Sequence, residues 1–181
     1  MSFMLCSKEK QPKDVVVLSD AVYKSRIGKY FLGQTDIITF GNSYNAWGAL
    51  VNPAGSKVNM YLNAYTITNF SNESLTAEGW LSTTLPGEAK TSTAFAAGNQ
   101  SIVPPPMPKV KIRNASMVLK MPVGGTYTFV RRVEPNITLT KHDFQGMYII
   151  PPGSSFALFF LSPGRNYVQA RLAYGWWEDK A

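Results

Sequence analysis

The side chains that could carry acid–base chemistry are a single histidine, His142, and eleven acidic residues. A catalyst working near neutral pH usually needs a histidine, paired carboxylates, an activated nucleophile or a metal ion. Asp143 follows His142 directly and would lie on the opposite face of a strand, so the two do not form a ready-made dyad. Only Glu178 and Asp179 are adjacent carboxylates, in what resembles an acidic tail. We therefore expect a non-enzymatic protein with no catalytic residue, no cofactor and no metal site.

The chain contains one cysteine, Cys6. A lone cysteine excludes an intramolecular disulfide and a cysteine-based metal site. Two interpretations stay open for Cys6: an inert thiol, or an intermolecular disulfide between subunits in an oxidising environment.

Two consecutive tryptophans, Trp176 and Trp177, stand out near the end of the chain. On a strand, neighbouring side chains point to opposite faces. We therefore expect one of the two indoles in the core and the other exposed. An exposed tryptophan is typical of an interface anchor and could also stack on a sugar.

The formal charge is +7, and residues 109–141 hold seven basic residues with a single acidic one, Glu134. A basic segment could face an anionic partner, but no aromatic-basic nucleic-acid motif accompanies it. We therefore do not expect nucleic acid as a partner, and the segment has no assigned role. No stretch reaches the length of a membrane helix and no signal peptide is visible, which predicts synthesis in the cytoplasm and no membrane partner.

The elements that would hold these residues are short extended runs. From residue 75 to residue 84 apolar and polar positions alternate with a period of two, as in a half-buried strand. Similar runs recur every eight to twelve residues or so, separated by Gly, Pro and Asn turn signals. This pattern predicts an all-β fold, a two-sheet antiparallel β-sandwich that is jelly-roll-like, over residues 15–181.

Residues 1–14 are polar, show no periodicity and are interpreted as a flexible N-terminal arm. Directly after the arm comes an apolar run of the kind that is buried on both faces: Val15, Val16, Val17 and Leu18. If the run docks on another chain, it is the natural segment to insert there. The assembly residues predicted from the sequence are therefore Cys6, Val15, Val16, Val17, Leu18, Trp176 and Trp177.

Several short motifs between residues 20 and 178 resemble a family of small uncharacterised all-β proteins from spore-forming Firmicutes. They are Tyr30 to Gln34, Phe40 to Asn42, Asn45 to Gly48, Leu50 to Pro53, Pro151 to Phe156, Ser162 to Gly164, Ala170-Arg171 and Gly175 to Trp177. The resemblance implies no enzymatic activity. A weaker architectural likeness links the arm and the run after it to the jelly-roll subunits of endospore appendages, whose N-terminal connectors carry several cysteines where this arm carries one.

The sequence leaves three functions open. The first is a structural protein that assembles with copies of itself through its arm and sheet edges, at the spore surface or in an extracellular filament. The second is a virion or phage protein that forms or decorates a capsid, because jelly rolls are common capsid building blocks. The third is a carbohydrate-binding module that uses an exposed tryptophan. Fibre or closed assembly, symmetry and any small-molecule or glycan ligand are not predicted.

Overall fold

The computed structural model describes residues 16–142 and 144–181, which form two antiparallel β-sheets packed face to face. Within these residues the chain forms one helix and thirteen strands. They are α1 (Asp20–Arg26), β1 (Tyr30–Gln34), β2 (Ile38–Gly41), β3 (Asn45–Val51), β4 (Val58–Asn69), β5 (Leu75–Leu81), β6 (Lys90–Thr91), β7 (Phe95–Ala97), β8 (Lys111–Val118), β9 (Thr126–Val133), β10 (Thr138–Lys141), β11 (Tyr148–Ile150), β12 (Ser155–Leu161) and β13 (Tyr167–Lys180).

The strands divide into a seven-stranded and a six-stranded sheet. The seven-stranded sheet has the order β10-β4-β13-β1-β7, with β11 also beside β4 and β2 beside β13. The six-stranded sheet has the order β6-β8-β3-β12-β5-β9. The chain crosses from one sheet to the other between β3 and β4 and again between β4 and β5. The predicted all-β, two-sheet antiparallel sandwich is confirmed.

Large apolar side chains from both sheets fill the space between them. Phe40 and Phe160 stack with their ring centroids 5.0 Å apart, and Tyr65 packs against Phe156 at 5.7 Å. Each such side chain, fully buried, contributes about 1.5–3 kcal/mol through the apolar area removed from water. Because these residues alternate along their strands, the core fixes the register of each strand.

A second apolar cluster covers the outer face of the six-stranded sheet. Trp47, Ala157 and Phe159 lie in this cluster and are almost fully buried. The segment 82–89 lies over them, and the indole N–H of Trp47 donates to the carbonyl of Pro86 at 2.7 Å. This cover explains why β12 carries six consecutive buried residues, since both of its faces are shielded from water.

The structure departs from the sequence-based expectation in two connecting regions. The helix α1 was not predicted, because none of its residues is buried and it therefore shows no apolar stripe. Residues 86–108 are weakly hydrophobic and end in a proline-rich run that cannot form a central strand, so the sequence predicts at most one edge strand there; the structure contains two, β6 and β7. The proline-rich part of that segment links β7 in one sheet to β8 in the other, as a crossover should.

Candidate assembly surfaces

Trp176 belongs to the core, as expected for one of the paired tryptophans. It is fully buried, and its ring lies 5.8 Å from that of Phe31 on the neighbouring strand β1. The indole N–H donates to the carboxylate of Glu178 at 3.1 Å. Trp176 is therefore a structural residue that links the core to a buried acid.

Trp177 is not the exposed anchor that the sequence predicts. It is only 3% exposed, and its indole stacks on Tyr61 with ring centroids 5.4 Å apart. The backbone of Gly146 lies so close to the ring that a Cβ atom there would stand 2.4 Å from it. The residue does lie outside the core cluster, but a loop of the same chain covers it. Neither Trp176 nor Trp177 is available to a partner.

Hydrogen bonds connect the two sheets along one side of the sandwich. We call this side the closed border. Ser92, between β6 and β7, bridges the two sheets: its N–H donates to the carbonyl of Ile112 in the six-stranded sheet, and its hydroxyl donates to the carbonyl of Gln34 in the seven-stranded sheet. Glu178 on β13 accepts the backbone N–H groups of Lys109 and Val110, just before β8. The carboxylate thus receives three N–H donors, counting the indole of Trp176.

The helix α1 lies at the same border, against β1 and β13. Asp179 accepts charged hydrogen bonds from Lys24 of the helix and from Lys29. Burial pushes the pKa of Asp179 up, but the two lysines outweigh that effect, so the pKa lies below its ordinary value. Asp179 therefore stays ionised and holds the helix on the sheet.

The predicted apolar segment immediately precedes α1. Cys6 and Val15 lie outside the described residues, as does the whole arm 1–14. Val16 and Val17 belong to no strand and are 74% and 89% exposed, while Leu18 is half-buried. The predicted burial on both faces is wrong for Val16 and Val17 within one chain, because no sheet of their own chain pairs with them.

On the opposite side of the sandwich the strand β9 forms what we call the open border. Among the residues that the structure describes, β9 pairs with β5 on one side and with no strand on the other. It has eight residues, whereas the outlying strands β6, β7, β10 and β11 have two to four. Two β9 residues contact the other sheet: the carbonyl of Val133 accepts a hydrogen bond from the side chain of Asn69, and Phe129 stacks on Tyr65. Tyr127 and Val130 are about half exposed along it.

An unpaired edge strand presents a row of backbone N–H and C=O groups that another strand can bind. The sequence predicts the strand itself, as residues 127–133, but not its place at the edge of the sheet. No local signal distinguishes an edge strand from an inner one when its exposed face also carries Tyr127 and Val130.

The basic residues of segment 109–141 do not form one patch. Those from Lys109 to Lys120 lie on or beside β8, and those from Arg131 to Lys141 lie on or beside β9 and β10. In the six-stranded sheet β8 and β9 are separated by β3, β12 and β5. The charge excess of the sequence is therefore divided between the two borders.

The described part of the chain contains no cluster of three or more His, Cys, Asp or Glu side chains that could hold a metal ion. His142 is exposed. In residues 16–142 and 144–181 no helix has the length and apolar character to cross a membrane.

A comparison with protein families identifies the group to which this sandwich belongs. All of residues 1–181 match the family model described as "Family of unknown function (DUF6143)". The chain belongs to the DUF6143 family. No curated protein and no solved structure matches this DUF6143 chain.

Proposed function

We propose that this DUF6143 protein is a non-enzymatic structural subunit that assembles with copies of itself. The segment Val15 to Leu18 of one copy adds as a strand to the open edge of β9 in the next copy. The observation that supports this proposal most directly is the eight-residue β9 with no strand on its outer side in the described chain. Strand addition gains main-chain hydrogen bonds for affinity and side-chain contacts for specificity.

The exposed residues Val16 and Val17 are suited to be the strand that adds to β9. Val16 and Val17 are β-branched and highly exposed, and such side chains fit a pleated strand surface. Against β9 they would meet the half-exposed Tyr127 and Val130. The contact would bury apolar surface on both partners and satisfy the unpaired backbone groups of the edge.

Donor and acceptor lie on different surfaces of the sandwich. The donor precedes α1, which packs on β1 and β13 of the seven-stranded sheet, whereas β9 is an edge strand of the six-stranded sheet. A contact between two different surfaces is head-to-tail, so it repeats from copy to copy and forms an open filament or a closed ring. The resemblance to small proteins of spore formers supports a filament or surface layer outside the cell or on the spore.

Deleting residues 1–19 tests the donor. The full-length protein should form species larger than a monomer that grow with concentration, measured by light scattering after size-exclusion chromatography. The deleted protein should be a folded monomer, since it has lost the donor strand but none of the sandwich.

Deleting residues 1–14 alone is the matched control, because it keeps Val15 to Leu18. We expect this variant to assemble. A full-length protein that stays monomeric at every concentration would refute the proposal, and so would assembly that persists without residues 1–19.

A further inference from the structure

A polar groove crosses the end of the sandwich where the β4–β5 loop meets the turn before β13. It consists of two adjoining hollows of about 550 and 530 Å³ that share Asn72 and Glu73. Volumes in this range are typical of small-molecule sites. The residues that line the two hollows include none of Val16, Val17, Trp176 and Trp177.

The floor of the larger hollow, of about 550 Å³, is formed by residues on paired strands. Gln169 on β13 pairs with Thr39 on β2, and its carbonyl accepts the backbone N–H of Phe70 on the other side. Tyr167 is two residues from Gln169, so both side chains point to the same face of the sheet. Phe70, Tyr167 and Gln169 all line this hollow.

The two aromatic rings are accessible. Phe70 is 47% exposed and Tyr167 54%, and the hydroxyl of Tyr167 accepts a hydrogen bond from the amide of Asn42 at 3.1 Å. This bond limits the movement of the Tyr167 ring. A held aromatic ring with an open face is a platform for the apolar C–H face of a sugar ring.

Hydrogen bonds also hold the polar groups of the groove in place. The amide of Asn166 donates to the carboxylate of Glu73, and the amide of Asn136 donates to Asn72 at 2.9 Å. Each carboxylate oxygen and each amide oxygen has two lone pairs, so these groups can accept further hydrogen bonds. Oriented acceptors of this kind suit the hydroxyl groups of a sugar.

The groove has no excess of positive charge. Glu73 and Arg132 are the charged residues that line the two hollows, one of each sign. Arg132 is further neutralised by Glu134, whose carboxylate accepts its Nε–H at 3.1 Å. The hydrogen bond from Ser74, against a smaller effect of burial, lowers the pKa of Glu134, with a further contribution from Arg132. Although the chain is strongly basic, this region does not select an anion.

We propose that the groove binds a neutral oligosaccharide, with Tyr167 and Phe70 stacking on sugar rings and Gln169, Asn72 and Glu73 bonding to hydroxyl groups. A site of this composition fits a chain whose tryptophans 176 and 177 are buried and cannot supply the platform. The proposal does not depend on strand addition at β9.

The test is an array of neutral and acidic glycans probed with the full-length protein, followed by calorimetric titration of the neutral glycan that gives the strongest signal. Tyr167→Ala and Gln169→Ala should each weaken binding about tenfold or more, as expected for a central contact. Tyr167→Phe should keep most of the affinity, because it retains the ring.

Tyr23→Ala removes another half-exposed aromatic, on α1 and away from the groove, and should leave the affinity unchanged. Thermal unfolding of each variant separates loss of binding from loss of fold. Binding of no neutral glycan, binding of acidic glycans alone, or equal affinity of folded Tyr167→Ala and the unaltered protein would each overturn the proposal.

Discussion

The two borders of the sandwich are built differently. At the closed border Ser92 and Glu178 donate to or accept from groups on both sheets, and Asp179 anchors α1. At the open border β9 runs for eight residues, and its contacts with the opposite sheet are the stacking of Phe129 on Tyr65 and the hydrogen bond between Asn69 and Val133. The carboxylates of Glu178 and Asp179 thus hold one side together, while the other side keeps a strand edge that no described strand pairs with.

The two borders differ in how their polar groups are paired. Glu178 is 6% exposed and receives three N–H groups, of which those of Val110 and Trp176 are buried and would otherwise have no partner. Such residues stabilise the fold and are unavailable for binding. Along the outer edge of β9, by contrast, no strand of the described residues pairs with the backbone groups.

The largest effect should follow from breaking the closed border at Glu178. Glu178→Ala leaves the N–H groups of Lys109 and Val110 and the indole N–H of Trp176 without their acceptor. We expect a loss of about 3 kcal/mol in the free energy of unfolding, measured by urea denaturation.

Glu78→Ala is the matched control for this change. Glu78 also accepts an indole N–H, that of Trp80 at 3.0 Å, but the pair is only half-buried. We expect a loss below about 1 kcal/mol. Equal losses for the two variants would show that the closed border is not the more strongly stabilised region.

A smaller effect should follow from loosening α1. Asp179→Asn removes the charge that pairs with Lys24 and Lys29, whose side chains are 18% and 45% exposed. Because solvent screens such pairs, we expect a cost of about 1 kcal/mol at neutral pH. Asp36→Asn, at an exposed acid with no ion pair among the described residues, should cost less.

The pH dependence of this variant gives an independent measurement. The pKa of Asp179 is lower in the folded protein than the value of about 3.9 in an unfolded chain. The stabilisation is therefore fully present above about pH 4 and is lost as the pH falls through the folded pKa. Urea denaturation should show the unaltered protein and Asp179→Asn converging in stability on acidification, and a constant difference would contradict the assigned role.

The sequence predicts strands best where apolar and polar residues alternate clearly or where an apolar run is continuous. The strand β12 begins at Ser155 and ends at Leu161, as the apolar run indicates. It predicted the borders poorly, because their contacts join residues far apart in the chain. Glu178 resembles part of a solvated tail until Lys109 and Val110, almost seventy residues away, are brought to it.

The same limit explains why the sequence mispredicts the burial of Trp177 and the exposure of Val16 and Val17. Alternation correctly separates Trp176 from Trp177, but it cannot tell that Gly146 and Tyr61 cover the second indole. An apolar run predicts burial without saying which chain supplies the cover, and for Val16 and Val17 the same chain does not. The exposure of a side chain depends on contacts with residues far apart in the sequence. The alternation of apolar and polar residues along a strand gives no information about those contacts.

The smallest effect on stability and the most specific effect on assembly should come from the open border. Val130 is 49% exposed on β9, so Val130→Lys should change the free energy of unfolding by no more than about 0.5 kcal/mol. A lysine there, beside Arg131 and Arg132, should still prevent strand addition, because charged side chains on an edge oppose pairing with another chain.

Ile149→Lys, at a 54% exposed residue on the short strand β11, is the control and should leave assembly intact. If light scattering shows that both lysine variants assemble like the unaltered protein, the β9 edge is not the acceptor. If both block assembly, general surface charge and not a particular edge governs association, and the contrast between the two borders carries no functional meaning.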